Sequence, residues 1–134
     1  MKIGINAGAF RYLGSKESEY ERIQQLGYQT VDEYLEETQA PWYADREAMA
    51  EYGRYVRSVA ERYGIEISQV HGPWPTDDTT EEKRAQTLEH MRLAIYGCAQ
   101  MGAKHLVIHP QMPYGWDREE SAELQRRYLR GTWS

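Results

Sequence analysis

Met101-Gly102-Ala103-Lys104-His105-Leu106-Val107-Ile108-His109-Pro110 carries the pattern that decides the fold: a glycine closing an apolar-periodic stretch, then a short apolar run ending on histidine and proline. The same order stands twice upstream, at Leu26-Gly27 followed by Thr30 to Leu35, and at Tyr63-Gly64 followed by Ile65 to Val70. Each glycine suits the left-handed position that closes a helix, and each following run reads as a strand. The glycines stand at 27, 64 and 102, a cadence of 37 and 38 residues. That is an internal repeat of helix, glycine and strand, which predicts βα units around a parallel sheet.

Outward from these turns the remaining elements fall into place. A first strand, Lys2 to Asn6, alternates Ile3 and Ile5 with Gly4 and Asn6. Ser18 and Glu21 have capping-box spacing, so the first helix is expected to start there and to bury Tyr20, Ile23 and Leu26. A second helix begins at the cap Asp45 and runs through Met49, Tyr52, Val56, Val59, Ala60 and Tyr63. A third starts at Thr79 with Glu82 and shows Leu88, Met91, Ile95, Cys98 and Gly102 on one stripe. A fourth is expected from after Asp117 to about Arg130, with Arg126, Arg127 and Arg130 suiting its C-terminus. The order β-α-β-α-β-α-β-α uses about 33 residues per unit, against roughly 31 in an eight-unit TIM barrel. Residues 1–134 therefore read as one α/β domain, a parallel (β/α)4 half of a TIM barrel with helices on one face; a flavodoxin-like open sheet is the alternative.

Composition bounds the function. The chain of 134 residues has 16 Lys and Arg against 21 Asp and Glu, a net charge of −5, which opposes a general nucleic-acid binder. No apolar run approaches the roughly 18 residues of a membrane span, and the start lacks signal-peptide character. With Cys98 the lone cysteine, a disulfide framework and a cysteine zinc cluster are excluded, and the expected location is the cytoplasm. G-x-G-x-x-G, Walker, G-x-S-x-G, H-E-x-x-H and C-x-x-C motifs are absent from the sequence.

In a parallel α/β protein chemistry sits where the strands stop. Those positions are Asn6, Asp32 to Tyr34, His71 and His109. Strand alternation gives His71 the parity of Ile67 and Gln69, and His109 that of Val107 and His105, so both histidines can face one cleft. Strands lie about 4.8 Å apart, so two such imidazoles could share a metal ion or a substrate hydroxyl; the alternative is that each only caps a loop. Asp32, Glu33, Glu36 and Glu37 read either as ligands and bases or as a solvated face. Trp42, Trp74 and Trp116 follow strand ends, where they would wall a sugar pocket or cover core. His90 and His105 read as structural or surface residues, and Cys98 as core.

Lys2-Ile3-Gly4-Ile5-Asn6, Leu26-Gly27-Tyr28-Gln29-Thr30-Val31-Asp32, Val70-His71-Gly72-Pro73 and residues 101–110 together resemble the xylose isomerase-like TIM barrels. That superfamily holds sugar-phosphate and ketose isomerases and epimerases, inositol-pathway enzymes and apurinic endonucleases. The resemblance covers this whole chain but only the first half of the family's barrel. It implies a divalent metal (Mn, Mg, Co or Zn) polarising substrate oxygens while paired carboxylates move a proton between adjacent carbons. Those carboxylates and the main metal ligands belong to the later strands, so the catalytic residues are not expected here. The strand-end and loop positions give Asn6, Asp32, His71, Trp74, His109 and Trp116 as the expected sugar or polyol pocket, and the resemblance implies that His71 and His109 are zinc ligands in the endonuclease branch and more often line the pocket in the sugar branch. Asp32 matches a position commonly held by Glu, and Glu33 stands where an apolar residue is usual.

The first expectation is a sugar isomerase or epimerase-like protein, incomplete or inactive as the isolated chain. The alternatives are an apurinic endonuclease-like repair protein using zinc, or a non-catalytic oligomeric half-barrel. Four strands leave two unpaired edges, so either a second copy or a missing C-terminal half is the expected partner.

Overall fold

The computed structural model describes residues 1–74, 76, 80–109, 123, 126 and 130. Strands β1 (Gly4–Asn6), β2 (Thr30–Tyr34), β3 (Glu66–His71) and β4 (Leu106–Val107) alternate with helices α1 (Lys16–Gln25), α2 (Arg46–Tyr63) and α3 (Glu81–Gln100). All pairings are parallel, in the order β1-β2-β3-β4. A flavodoxin-like sheet places its second strand outside the first, so this sequential order excludes that alternative and is the order of a half TIM barrel. Right-handed crossovers then put every helix on one face. There α1 packs on α2 and α2 on α3. The opposite face carries Asn6, Asp32, Gln69 and His71, exposed or half-exposed. No helix of the described residues is long and apolar enough to cross a membrane.

The three closing glycines all have left-handed backbones, with φ of 82° at Gly27, 66° at Gly64 and 79° at Gly102. At Gly64 the N–H returns to the Ala60 and Glu61 carbonyls, ending α2. Asp45 caps α2 as expected, accepting from the Ala48 N–H at 2.9 Å. Two other caps differ. Ser15, not Ser18, has the extended backbone and accepts from the Ser18 N–H, so α1 starts a turn earlier than the capping-box spacing predicts. Thr80 does the same for the Lys83 N–H in α3, and the expected cap Thr79 lies outside the described residues.

Strand bounds shift by a few residues, and β3 extends through His71 itself. Leu26 at the end of α1 is 47% exposed, because the helix has already turned out toward Gly27. On α3 the buried stripe is Thr87, Met91, Ala94 and Cys98 with Leu93 and Gly97, while Leu88 and Ile95 lie on its flank, half-buried. Of the expected fourth helix, Glu123, Arg126 and Arg130 are helical, and Arg126 pairs with Glu123. The rest of that helix lies outside the described residues.

One irregularity sets the site. Val31 pairs with Ile67 but Asp32 pairs with Gln69, so Ser68 bulges out of β3, its hydroxyl donating to the Val31 carbonyl at 2.8 Å. Ile67 and Val70 therefore both enter the hydrophobic core although three apart. This corrects the strict alternation that gave His71 the parity of Ile67. Gln69 and His71 face the open side because the bulge flips the strand's parity.

Glu33 is not part of a solvated acidic face. It is fully buried on the helix side of β2, its carboxylate 2.6 Å from Lys16 Nζ and accepting from the Tyr20 hydroxyl at 2.8 Å. Lys16 also reaches Glu19 at 2.9 Å, and Glu19 accepts from the Tyr34 hydroxyl. Polar residues thus occupy an apolar position because a cation from the next layer meets them there.

His90 on α3 stands edge-on to Tyr43, ring centroids 5.2 Å apart. Burial holds its imidazole below the ordinary histidine pKa, with Glu89 pulling the other way. The folded state therefore prefers neutral His90, and the stability this contributes is present above the unfolded pKa of about 6.5 and is lost as pH falls through the lower folded value. The melting temperature should fall on going from about pH 7 to pH 5, and His90→Gln should flatten part of that slope. An unchanged slope in the variant would refute the assignment.

Candidate functional site

Each strand delivers one polar side chain at its carboxyl end, and the four form a continuous row. Asn6 leads. Its Oδ1 accepts from the Gly8 N–H at 2.8 Å, which turns Nδ2 toward β2, where it donates to Asp32 Oδ2 at 3.2 Å. Asn6 and Asp32 are direct register partners, so the contact follows from the pairing. Asp32 Oδ1 lies 2.8 Å from His71 Nδ1. A neutral His71 donating there carries its proton on Nδ1 and leaves Nε2 with a free lone pair. His71 and His109 then stack, centroids 5.3 Å apart at 26°, and Trp74 closes the row with its ring edge-on to His109 at 5.0 Å.

Burial, then the nearness of the His71 imidazole, lowers the His109 pKa, with Glu36 opposing. His109 is thereby held neutral, and its Nε2 is buried with no hydrogen-bond partner among the described residues. That orphaned atom and the free Nε2 of His71 are the two donors a divalent ion would use. Among the described residues no group of three or more His, Cys, Asp or Glu could hold a metal, so the fit is to a partial ligand set.

Of the residues assigned to the pocket from the sequence, Asn6, Asp32, His71, His109 and Trp74 come together, while Trp116 lies outside the described residues. Trp42 does not join them. It stacks on Tyr52 of α2, centroids 4.0 Å apart and planes 6° apart, so it belongs to the helix layer. Glu36 and Glu37 both pair with Arg11, whose guanidinium lies 3.8 Å over the Tyr34 ring. Arg11 escaped sequence reasoning because it sits in a 3₁₀ segment, Ala7–Leu13, with no motif around it. His105, at the opposite end of β4, is exposed and lines a separate cavity of about 510 Å³ with Arg57 and Lys104.

Solved structures share this fold. A 3-keto-D-glucoside 4-epimerase from E. coli, in its apo form, is 17% identical with a TM-score of 0.66, over 97% of this chain and 49% of that one. A D-tagatose 3-epimerase-like protein is 24% identical with a TM-score of 0.70, over 98% and 47%. A sugar phosphate isomerase/epimerase from Parabacteroides distasonis is 19% identical with a TM-score of 0.62, over 99% and 51%. The chain spans about half the length of these structures, and at such identities the likeness is one of fold. No curated protein matches it. Residues 20–132 match the profile of one family, and with the half-barrel topology this places the chain in the xylose isomerase-like TIM barrel family.

Proposed function

We propose that the chain supplies one wall of a sugar isomerase or epimerase site, binding and orienting a ketose or polyol at the strand-end row. The observation that carries this is the unbroken series Asn6, Asp32, His71, His109 and Trp74 at the carboxyl ends of four parallel strands. Asn6 holds Asp32, Asp32 fixes the His71 tautomer, and the one lone pair this leaves on His71 Nε2 accepts from a substrate hydroxyl when no ion is bound. Trp74, 55% exposed, offers an aromatic surface to the C–H face of a sugar ring. His71 and His109 would hold a divalent ion, which when bound polarises the substrate's carbonyl and hydroxyl oxygens.

A proton-transferring carboxylate pair is not among the members of the row. We therefore assign proton transfer between carbons to a second half-barrel facing this one, either a further length of chain or a second copy. The isolated chain is expected to bind and not to turn over.

Titration calorimetry with Mn²⁺ and a ketohexose together tests this. Saturable binding should appear, should stabilise the fold by about 2.7 kcal/mol at 100 times Kd, and should weaken about 10- to 100-fold in His71→Ala and Asp32→Ala. Absence of ketose binding with or without metal sinks the proposal. Salt-dependent binding to an abasic duplex in its place would move the site to DNA repair.

A further inference from the structure

We propose that Arg11 is a positioning residue of the strand-end site, the residue that sets the Trp74 ring over His109 from two loops away. The proposal deepens the reading of the row as a sugar-binding wall and rests on it. A second series of contacts runs outside the row, through the segments that follow β1, β2 and β3. Arg11, after β1, donates from Nη2 to Glu36 at 2.8 Å and from Nη1 to Glu37 at 3.0 Å, both after β2. The Glu36 carbonyl accepts from the Trp74 N–H, after β3, at 3.2 Å. Trp74 in turn stands edge-on to His109 at the end of the fourth strand.

The Glu36 carbonyl belongs to the peptide that joins Glu36 to Glu37. The side chains on both sides of that peptide end on one planar guanidinium, so the fork fixes the peptide plane and with it the direction of the acceptor. Arg11 is itself held in place. Its guanidinium lies 3.8 Å over the Tyr34 ring, and its carbonyl accepts from the Gly14 N–H at 3.1 Å. On the other side of the contact, Gly72 donates to the Val107 carbonyl at 2.9 Å and Pro73 has no N–H to offer, so the tie to Glu36 falls to Trp74. A ring as exposed as that of Trp74 has little packing to hold it, and its backbone tie decides where it stands. The side chains of Arg11, Glu36 and Glu37 are also well exposed, so these pairs add little to stability and their loss acts on placement before it acts on folding.

The test compares the wild type with Arg11→Met, Arg11→Lys and Trp74→Ala. Nuclear Overhauser contacts between the Trp74 and His109 rings, assigned through Trp74→Ala, read the placement, and hydrogen exchange of the Trp74 amide reads its bond to Glu36. Arg11→Met should lose the ring contact and speed that exchange about tenfold, with little change in melting temperature. Arg11→Lys keeps the charge but cannot fork, and should behave as Arg11→Met does. Calorimetric affinity for a ketohexose with Mn²⁺ should fall about fivefold in Arg11→Met, and no further when Arg11→Met is added to Trp74→Ala. The proposal is overturned if the ring contact is absent from the wild type or survives in Arg11→Met, if Arg11→Lys restores contact and exchange, or if Arg11→Met weakens binding as much in Trp74→Ala as in the wild type. A wild type that binds no ketose refutes the sugar-binding reading instead, and the placement of Trp74 by Arg11 is then still decided by the ring contact and the exchange.

Discussion

Lys16→Met is expected to cost about 3–5 kcal/mol of stability, the magnitude seen when one partner of a buried ion cluster is removed. Lys16 is the cation for two carboxylates, and the side-chain exposures of Lys16, Glu19 and Glu33 are 7%, 5% and 0%. Burial by itself would lower the lysine's pKa, but Glu33 first, then Tyr52 and Glu19, outweigh it and hold the ammonium well above its ordinary value. Methionine fills the same volume without the charge, leaving Glu33, among the described residues, only the Tyr20 hydroxyl and the Tyr34 N–H as donors. Adding Glu33→Leu to Lys16→Met should restore part of the loss, since it removes one of the two carboxylates left without a cation, while Glu19 stays buried with only the Tyr34 hydroxyl among the described residues and the Tyr20 hydroxyl loses its acceptor. Urea midpoints of the two single variants and the double give the coupling. A double variant no more stable than Lys16→Met would disprove this account of the cluster.

The second large effect is expected at Gly53. Helices α2 and α3 meet where Gly53 faces Gly97, and a Cβ on Gly53 would sit 2.6 Å from Gln100 Cβ and 3.0 Å from the Gly97 carbonyl oxygen. Both obstacles are at or next to backbone, so the helices must separate. Gly53→Ala gains about 1 kcal/mol in helix propensity and loses about 1–3 kcal/mol to overpacking, for a net destabilisation. Gly97→Ala meets Met49 Sδ at 2.5 Å and Leu35 Cδ1 at 3.1 Å. A thioether can swing aside, so this variant should be the milder of the two by thermal denaturation. The reverse order would mean that the α2–α3 crossing is looser than its geometry states.

Much of the architecture was legible because it rests on local chemistry. A left-handed backbone wants glycine, so Gly27, Gly64 and Gly102 announced three helix ends, and the strand after each followed. Strand-end position likewise singled out Asn6, Asp32, His71 and His109. What escaped depends on partners distant in sequence. Glu33 reads as a solvated acid until Lys16 arrives from the next layer. The Ser68 bulge exists only as a mismatch between two strands, and no single-strand pattern carries it. Gly53 and Gly97 break helical propensity for a reason visible only when the helices are side by side. Trp42 follows a strand end, as Trp74 does, but its loop doubles back onto α2 and Tyr52 captures the indole.

The sequential strand order has a consequence for how the molecule forms. Gly4 pairs with Thr30, Val31 with Ile67 and Val70 with Leu106, so every ladder joins a strand to the one just before it in the chain. Each ladder still closes a loop of 26 to 36 residues, so parallel pairing waits for the intervening helix and is slower than hairpin closure, but no strand has to search beyond its neighbour in the chain. On the ribosome each strand finds its template already in place as it emerges, and the sheet grows from one edge in the order of synthesis.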